Sequence, residues 1–428
     1  MYLVLALVPV SLMLLRPLGP PREPLREFAV ALGFGAVGIL GMQFVLSARL
    51  SRLKAPYGID VVYYFHRRIA ILALGLVLVH PILLFIVTPG RLALLNIFNA
   101  PWAARYGVTT VLVVAAVVIT SLWRVRLGLA YELWRGFHNV FAVTILSLAA
   151  LHVINTGTYT ADWKRYAFVA YPAVWAGLLA YARLGRPIGR MRRPYRVEQV
   201  RRETPDTWTL SIRPEGHRGI TFRPGQFAWF TLGRCPFSFE EHPFSFSSSP
   251  LAGSGAFDIT VKELGDFTSS IGQIPTGTIA YVEGPFGAFT TDRHAAARCT
   301  FIAGGIGITP IISMLRTAVL AGDQTPMTLV YAASSREDLA FAEELDTMPE
   351  RINLAITYVL QDPPEEWDGA TGLVTREVLE DAINDPDSEE YFVCGPPAMM
   401  SAVEKTLAQM GVKRRRIHYE RFAFDPEA

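Results

Sequence analysis

The chain has 428 residues, enough for two or three domains with substantial cores, and 51% of them are hydrophobic. Its formal net charge of +2 hides a division: residues 1–195 carry twenty Lys and Arg against five Asp and Glu, whereas residues 196–428 carry twenty against thirty-three. A basic membrane half is therefore expected before an acidic soluble half, with no nucleic-acid partner. The three cysteines, Cys235, Cys299 and Cys394, all fall in the soluble half without metal-ligand spacing, which excludes a disulfide framework and fits reduced cytosolic thiols.

Hydropathy predicts six spans, near residues 2–15, 28–47, 66–87, 107–123, 138–158 and 166–182, most of them free of charge and close to the ~20 residues a bilayer requires. The first run is short. It reads as a short span with Arg16 reaching back to the interface, or as a signal-peptide core that lacks a preceding basic residue and a clear cleavage site. With a cytosolic N-terminus, the inner connections carry Arg49, Arg52 and Lys54, then Arg124, Arg126 and Arg135, then Arg183, Arg186, Arg190, Arg192 and Arg193. This bias puts the soluble half inside the cell and makes the third and fifth spans parallel.

Those two spans carry the chemistry. His66 and His80 lie fourteen residues apart, as do His138 and His152, and no other histidine precedes residue 217. On an α-helix fourteen residues rise about 21 Å and come within about 40° of four full turns, so each pair projects from one face at two depths. Parallel helices would set His66 beside His138 and His80 beside His152, two imidazole sandwiches each able to hold a haem iron axially. A proton relay in a transport or quinone-reducing protein is the rival use of intramembrane histidines.

Beyond Arg190–Arg193 the pattern changes to short alternating stretches, Tyr195–Val200 and Trp208–Ile212, broken by Pro and Gly, as in an antiparallel barrel. Phe222-Arg223-Pro224-Gly225-Gln226-Phe227 leads into a strand at Ala228–Leu232, and His242-Pro243-Phe244-Ser245 follows a loop. Downstream come Gly265-Asp266-Phe267-Thr268-Ser269 and Glu283-Gly284-Pro285-Phe286-Gly287. In this order the segments resemble the flavin domain of the ferredoxin–NADP reductase superfamily. The resemblance implies that His242, Pro243, Phe244 and Ser245 lie along the isoalloxazine and ribityl chain of FAD, and that Gly265, Asp266, Phe267, Thr268 and Ser269 meet its pyrophosphate. Clustered N–H donors and small residues suit an anion.

From Thr300 the pattern is α/β: a strand at Thr300–Ala303, the glycine-rich turn Gly304-Gly305-Ile306-Gly307-Ile308-Thr309-Pro310, and a helix at Ile311–Leu320. Pro310 stands where a dinucleotide fingerprint would have its third glycine. Met327–Ala332 is the next strand, with Ser334-Ser335-Arg336 at its exit, and Tyr391–Val393 leads into Cys394-Gly395-Pro396-Pro397. All three turns follow strand C-termini, where open α/β sheets bind nucleotides. By the same resemblance Gly304, Gly305, Gly307, Thr309 and Pro310 take the nicotinamide dinucleotide, while Cys394, Gly395 and Pro396 lie near the nicotinamide. Arg336 could pair with a 2′-phosphate, favouring NADPH, or be a solvated loop arginine.

Spans with paired histidines, flavin barrel and nicotinamide domain follow one another in the order of NADPH oxidases and ferric reductases, and the chain resembles a compact prokaryotic member of that superfamily. The resemblance implies a six-helix haem domain at 1–190, an FAD-binding β-barrel at 191–297 and an NAD(P)H-binding α/β domain at 298–428. It assigns Phe424, with Phe422 as the alternative, as the aromatic that stacks on the flavin. The implied reaction carries electrons from cytosolic NAD(P)H through FAD and two b-type haems to an acceptor at the outer face of the cell membrane. Molecular oxygen, giving superoxide, is the expected acceptor and a ferric chelate the alternative. No obligatory protein partner or preceding regulatory segment is evident. A haem-free bundle anchoring a flavin reductase for a cytosolic acceptor is the remaining rival.

Overall fold

The computed structural model describes residues 2–15, 23–49, 59–157, 159–160, 162–253, 255–293, 297–383, 386 and 388–422. These fall into two compact units, the first running to Pro187 without Ile59 and Asp60, the second taking those two residues and the chain from Ile188 onward.

The first unit is helical, with α1 at Tyr2–Leu14, α2 at Pro24–Ser47, α3 at Ile59–Val87, α4 at Trp102–Leu122, α5 at Tyr131–Thr156 and α6 at Trp163–Ala180. A π-helical turn, Tyr181–Gly185, joins α6 to α7 at Arg186–Met191. Among the described residues five helices, not the expected six, are long and apolar enough to cross a membrane. The exception is α1. Its 13 residues reach only about 20 Å at 1.5 Å per residue, short of a hydrocarbon core about 30 Å thick. It packs instead against its neighbours, burying Ala6 with Met42, Phe44 and Trp175, and Met13 with Phe34, Val153 and Phe168.

Two sheets build the second unit. The first holds β1 at Tyr195–Thr204, β2 at Thr207–Pro214, β3 at Phe227–Leu232, β4 at His242–Ser245, β5 at Phe257–Lys262 and β6 at Ile279–Phe286. It is antiparallel, in the order β4-β3-β6-β1-β2-β5. Alternate residues point into one core of Leu210, Ile212, Phe230, Phe246, Phe257 and Ile259, as the two-residue side-chain period requires. His242–Ser245, expected only to follow a loop, is itself a strand, with Phe230 opposite His242 and Phe227 opposite Ser245. An isolated antiparallel bridge joins Phe246 to Ile259.

The second sheet is parallel, in the order β10-β9-β8-β7-β11-β12. Its strands are β7 at Arg298–Gly304, β8 at Met327–Ala333, β9 at Leu354–Leu360, β10 at Ala370–Thr371, β11 at Glu389–Cys394 and β12 at Ile417–Glu420. Helices α8 (Ile308–Ala321), α9 (Ala342–Thr347), α10 (Arg376–Ala382) and α11 (Pro397–Gln409) connect them. Two apolar clusters hold helices to the sheet, one around Phe301, Ile312, Leu315 and Leu345, the other around Ile302, Tyr391, Met400 and Val403. The order reverses at β7, between β8 and β11, and at such a switch the loops leaving adjacent strands diverge to open a crevice.

Candidate functional site

The histidines of α3 and α5 meet in the expected pairs. The rings of His66 and His138 have centroids 6.2 Å apart, and those of His80 and His152 are 6.4 Å apart. The second pair is held from behind. His80 Nδ1 lies 2.7 Å from the Ala29 carbonyl of α2, and His152 Nδ1 lies 2.7 Å from the Ala103 carbonyl of α4. A carbonyl only accepts, so each Nδ1 carries the proton and each Nε2 is left as the ring's lone-pair nitrogen. Glycine makes this approach possible: a Cβ at Gly33 would stand 2.9 Å from His80 Nδ1, and one at Gly107 would stand 2.8 Å from His152 Nδ1. In the first pair Ser121 Oγ is 3.4 Å from His138 Nδ1, Trp134 packs 5.2 Å from the His138 ring, and His66 Nδ1 has no hydrogen-bond partner among the described residues. No group of three or more potential metal-binding side chains occurs among the described residues.

In the second unit, β4 brings the His-Pro-Phe-Ser segment against the Gly-Asp-Phe-Thr turn. The His242 ring stacks on Phe267 at 3.8 Å, nearly parallel at 10°. Thr268 ties the turn, its Oγ1 accepting from the amides of Leu264 and Gly265 at 2.9 Å each, while Ser269 donates its amide to the Gly265 carbonyl. Ser245 is buried, and its Oγ has no partner among the described residues. A buried hydroxyl left over in this way is the kind of group a bound ligand satisfies.

At the switch in the parallel sheet the two glycine turns touch. A Cβ on Gly307 would collide with the Cys394 carbonyl, and one on Gly395 would stand 3.0 Å from the Gly304 amide. Gly304 is equally confined, by Met399 Sδ at 2.6 Å and Pro396 Cδ at 2.8 Å. Thr309 is buried and donates to the Ile306 carbonyl, which closes the first turn of α8. Pro310 sits buried in that same turn, where a missing N–H costs nothing. Cys394 is wholly buried, and burial together with the carboxylate of Glu420 holds its thiol well above the usual range, so it remains protonated.

Glu420 itself was not singled out from the sequence. It ends β12 in register with Cys394, is 7% exposed, and reaches to within 3.6 Å of where a Gly287 side chain would begin. The sequence signal is weak, a carboxylate closing the short run Ile417-His418-Tyr419-Glu420. Arg336 lies on the turn that leaves β8. It lies over the Trp367 ring at 5.8 Å beside a cavity of about 340 Å³ that Asp346 and Tyr358 also line, on a turn capped reciprocally by Ser335 and Asp338. Phe422 is 38% exposed, and Phe424 lies outside the described residues.

Comparison with known proteins agrees with both halves. The family of ferric reductase like transmembrane components matches residues 32–149, and the oxidoreductase NAD-binding domain family matches residues 301–405. NADH-cytochrome b5 reductase 1 of Cryptococcus neoformans var. neoformans serotype D is 34% identical over 37% of the chain, and the flavohemoprotein of Bacillus subtilis is 27% identical over 54%. The chain spans 58% and 59% of these relatives' own lengths. Among solved structures, the flavohem-like FAD/NAD-binding domain of nitric oxide dioxygenase from Vibrio cholerae O1 biovar El Tor superposes with a TM-score of 0.48 at 22% identity, covering 54% of this chain and 98% of that one. The ferredoxin reductase in carbazole 1,9a-dioxygenase gives 0.48 at 22%, covering 54% and 69%. The chain thus joins a segment similar to ferric reductase like transmembrane components, in a unit with five helices long and apolar enough to cross a membrane among the described residues, to a segment similar to the oxidoreductase NAD-binding domain, which is the domain order of the NADPH oxidase and ferric reductase superfamily.

Proposed function

We propose that the protein carries electrons from cytosolic NAD(P)H through FAD and two b-type haems to an acceptor on the outer face, and that the acceptor is molecular oxygen, which leaves as superoxide. The two histidine pairs carry this reading. Imidazole–metal bonds run about 2.0–2.1 Å, so two rings facing each other across one metal have centroids roughly 6 Å apart. The observed 6.2 and 6.4 Å meet that spacing. A haem takes only two axial side chains, so it does not call for the larger donor clusters of a protein-bound metal ion. Bound there, the haems would supply single-electron transfer. The chain's part is to fix the tautomer and tilt of His80 and His152 through the Ala29 and Ala103 carbonyls, and to exclude side chains behind them at Gly33 and Gly107.

The domain limits that go with this reading are 1–190, 191–297 and 298–428, and the Phe246–Ile259 bridge supports taking the antiparallel sheet as a barrel. His242, Pro243, Phe244 and Ser245 would line the flavin, the Ser245 hydroxyl facing it, with Gly265, Asp266, Phe267, Thr268 and Ser269 at its phosphates. Gly304, Gly305, Gly307, Thr309 and Pro310 would receive the dinucleotide phosphates, and Cys394, Gly395 and Pro396 the nicotinamide end. Phe424 is retained as the shielding aromatic. Arg336 would read the 2′-phosphate. Its replacement by Ala is expected to raise the KM for NADPH about tenfold more than that for NADH, the cost of one charge-assisted bond. Steady-state kinetics with both nucleotides checks this, and equal losses would remove the role.

In the topology with a cytosolic N-terminus the outward connections carry Arg91, Arg105, Lys164 and Arg165, and the oxygen reading gains from the burial of one of them. Lys164 is 3% exposed and so presents little of its charge to an anionic chelate in solution. Sealed vesicles supplied with NAD(P)H, FAD and haem decide between acceptors. Reduction of external cytochrome c that superoxide dismutase abolishes is the expected result. A dismutase-insensitive rate that rises with ferric chelate would make the protein a ferric reductase.

A further inference from the structure

The serine run that follows the flavin strand has no part in the mechanism above. Ser247, Ser248 and Ser249 come immediately after Phe246, itself next to the strand β4, and all three are gripped by one face of α8. Ser313 Oγ donates to the Ser248 carbonyl at 2.6 Å, Arg316 Nη1 donates to the Ser247 carbonyl at 2.7 Å, and Thr317 Oγ1 donates to Ser249 Oγ at 2.9 Å. Residues 313, 316 and 317 are spaced i, i+3 and i+4, so they form a single stripe on the helix.

Arg316 does more than the other two. Its Nε and Nη2 form a bidentate pair with Glu344 at 2.8 and 2.6 Å, and its guanidinium lies 4.8 Å over the Phe341 ring. One side chain thus joins three pieces of backbone: the segment that leaves the flavin strand, the helix that begins at the Gly304–Gly307 turn, and α9, which follows the Arg336 turn. A cavity of about 270 Å³ lies beside it, lined by Ser248, Asp258 and Glu344 together with the apolar Val319, Leu320 and Met348, so the bonds of Arg316 bridge a gap that side-chain packing leaves open.

We propose that Arg316, assisted by Ser313 and Thr317, is a positioning residue that sets how closely the nicotinamide approaches the flavin. The proposal rests on the reading that the antiparallel sheet binds FAD and the parallel sheet binds NAD(P)H. The step concerned moves a hydride, two electrons and a proton, from nicotinamide C4 to flavin N5, oxidising NAD(P)H and reducing FAD. Its two reactants are held by different sheets. Near-attack distances are about 3–3.5 Å, and a misplacement of about 1 Å can cost on the order of 100-fold in rate, so the polar seam governs the rate without touching either ring.

The test uses the full-length FAD-loaded protein in nanodiscs, comparing wild type, Arg316→Met, Arg316→Lys and Glu344→Gln. For Arg316→Met the flavin reduction rate at saturating NAD(P)H should fall by about 10- to 100-fold. The long-wavelength nicotinamide–flavin charge-transfer absorbance should fade with it, while FAD content and nucleotide Kd stay close to wild type. Arg316→Lys and Glu344→Gln should be intermediate. In protein stripped of cofactors, hydrogen exchange at 246–252 should quicken in Arg316→Met. A wild-type rate and charge-transfer band in Arg316→Met would overturn the proposal. So would a parallel loss of FAD and nucleotide binding, which would mark a purely structural role. If Arg316→Met does not accumulate, Glu344→Gln carries the same comparison, and a wild-type rate there overturns the proposal. A wild-type protein whose flavin is not reduced by NAD(P)H at all would instead remove the cofactor reading on which the proposal stands.

Discussion

On the proposed function, replacement of His80 or His152 by Ala should leave one haem per chain in place of two, and should reduce electron delivery to the outer acceptor to background. Reduction of the flavin by NAD(P)H should be untouched. The two substitutions should be indistinguishable, because a haem held between two imidazoles loses its ligation when either is removed, and both rings belong to one pair 6.4 Å apart. Their supports are alike too, each Nδ1 held by a helix carbonyl and each ring backed by a glycine. Pyridine haemochrome content per chain, together with stopped-flow flavin reduction, reads both halves of the expectation. A His152→Ala protein with two haems and full transmembrane transfer would break the pairing of His80 with His152. A proton relay in a haem-free protein predicts no haem absorbance in any variant, so the unaltered spectrum already separates the two uses of the histidines.

Gly307→Ala should be severely damaging to the parallel-sheet domain. The new Cβ would meet the Cys394 carbonyl, backbone on both sides, in a turn already closed by the Thr309 hydroxyl and held between two parallel strands. No rotamer relieves a clash between Cβ and backbone, so the two turns must part. Overpacking of this kind costs roughly 3 kcal/mol, enough to loosen the crevice at the switch. The expected result is loss of measurable NAD(P)H binding and a lower unfolding temperature, with the haem absorbance of the membrane half retained. Nucleotide titration and a thermal scan followed at both flavin and haem wavelengths make the comparison. Unchanged nucleotide affinity in Gly307→Ala would mean that the Gly304–Gly307 turn does not receive the dinucleotide.

The periodic features were legible in the sequence because they are local. The predicted strand at Met327–Ala332 differs by one residue from β8 at Met327–Ala333, and the apolar run at 28–47 lies within α2 at Pro24–Ser47, because hydrophobic period and length act within a few residues. The equal spacing in the two histidine pairs was equally plain, since a helix converts a count of residues into a direction. The first apolar run departs from the expected span for the opposite reason: composition makes it apolar, but its 13 helical residues are too few. His242–Ser245 escaped assignment as a strand because Pro243 lowers strand propensity. It pairs nonetheless at the sheet edge, where a missing N–H is tolerated.

From the sequence alone came the kind of protein: apolar spans carrying paired histidines, then a flavin-type and a nicotinamide-type motif set, all written in short stretches with their own periodicity. Tertiary structure decided which separate stretches share a site. Gly33 and Gly107 behind the second histidine pair, Gly307 against Cys394, Glu420 beside Cys394, and Arg316 between Ser247 and Glu344 each join residues at least 26 positions apart. No local pattern encodes such pairs. They follow from the order in which strands and helices pack to bury their apolar faces, and polar and glycine positions acquire their roles only once that packing has brought distant backbone into contact.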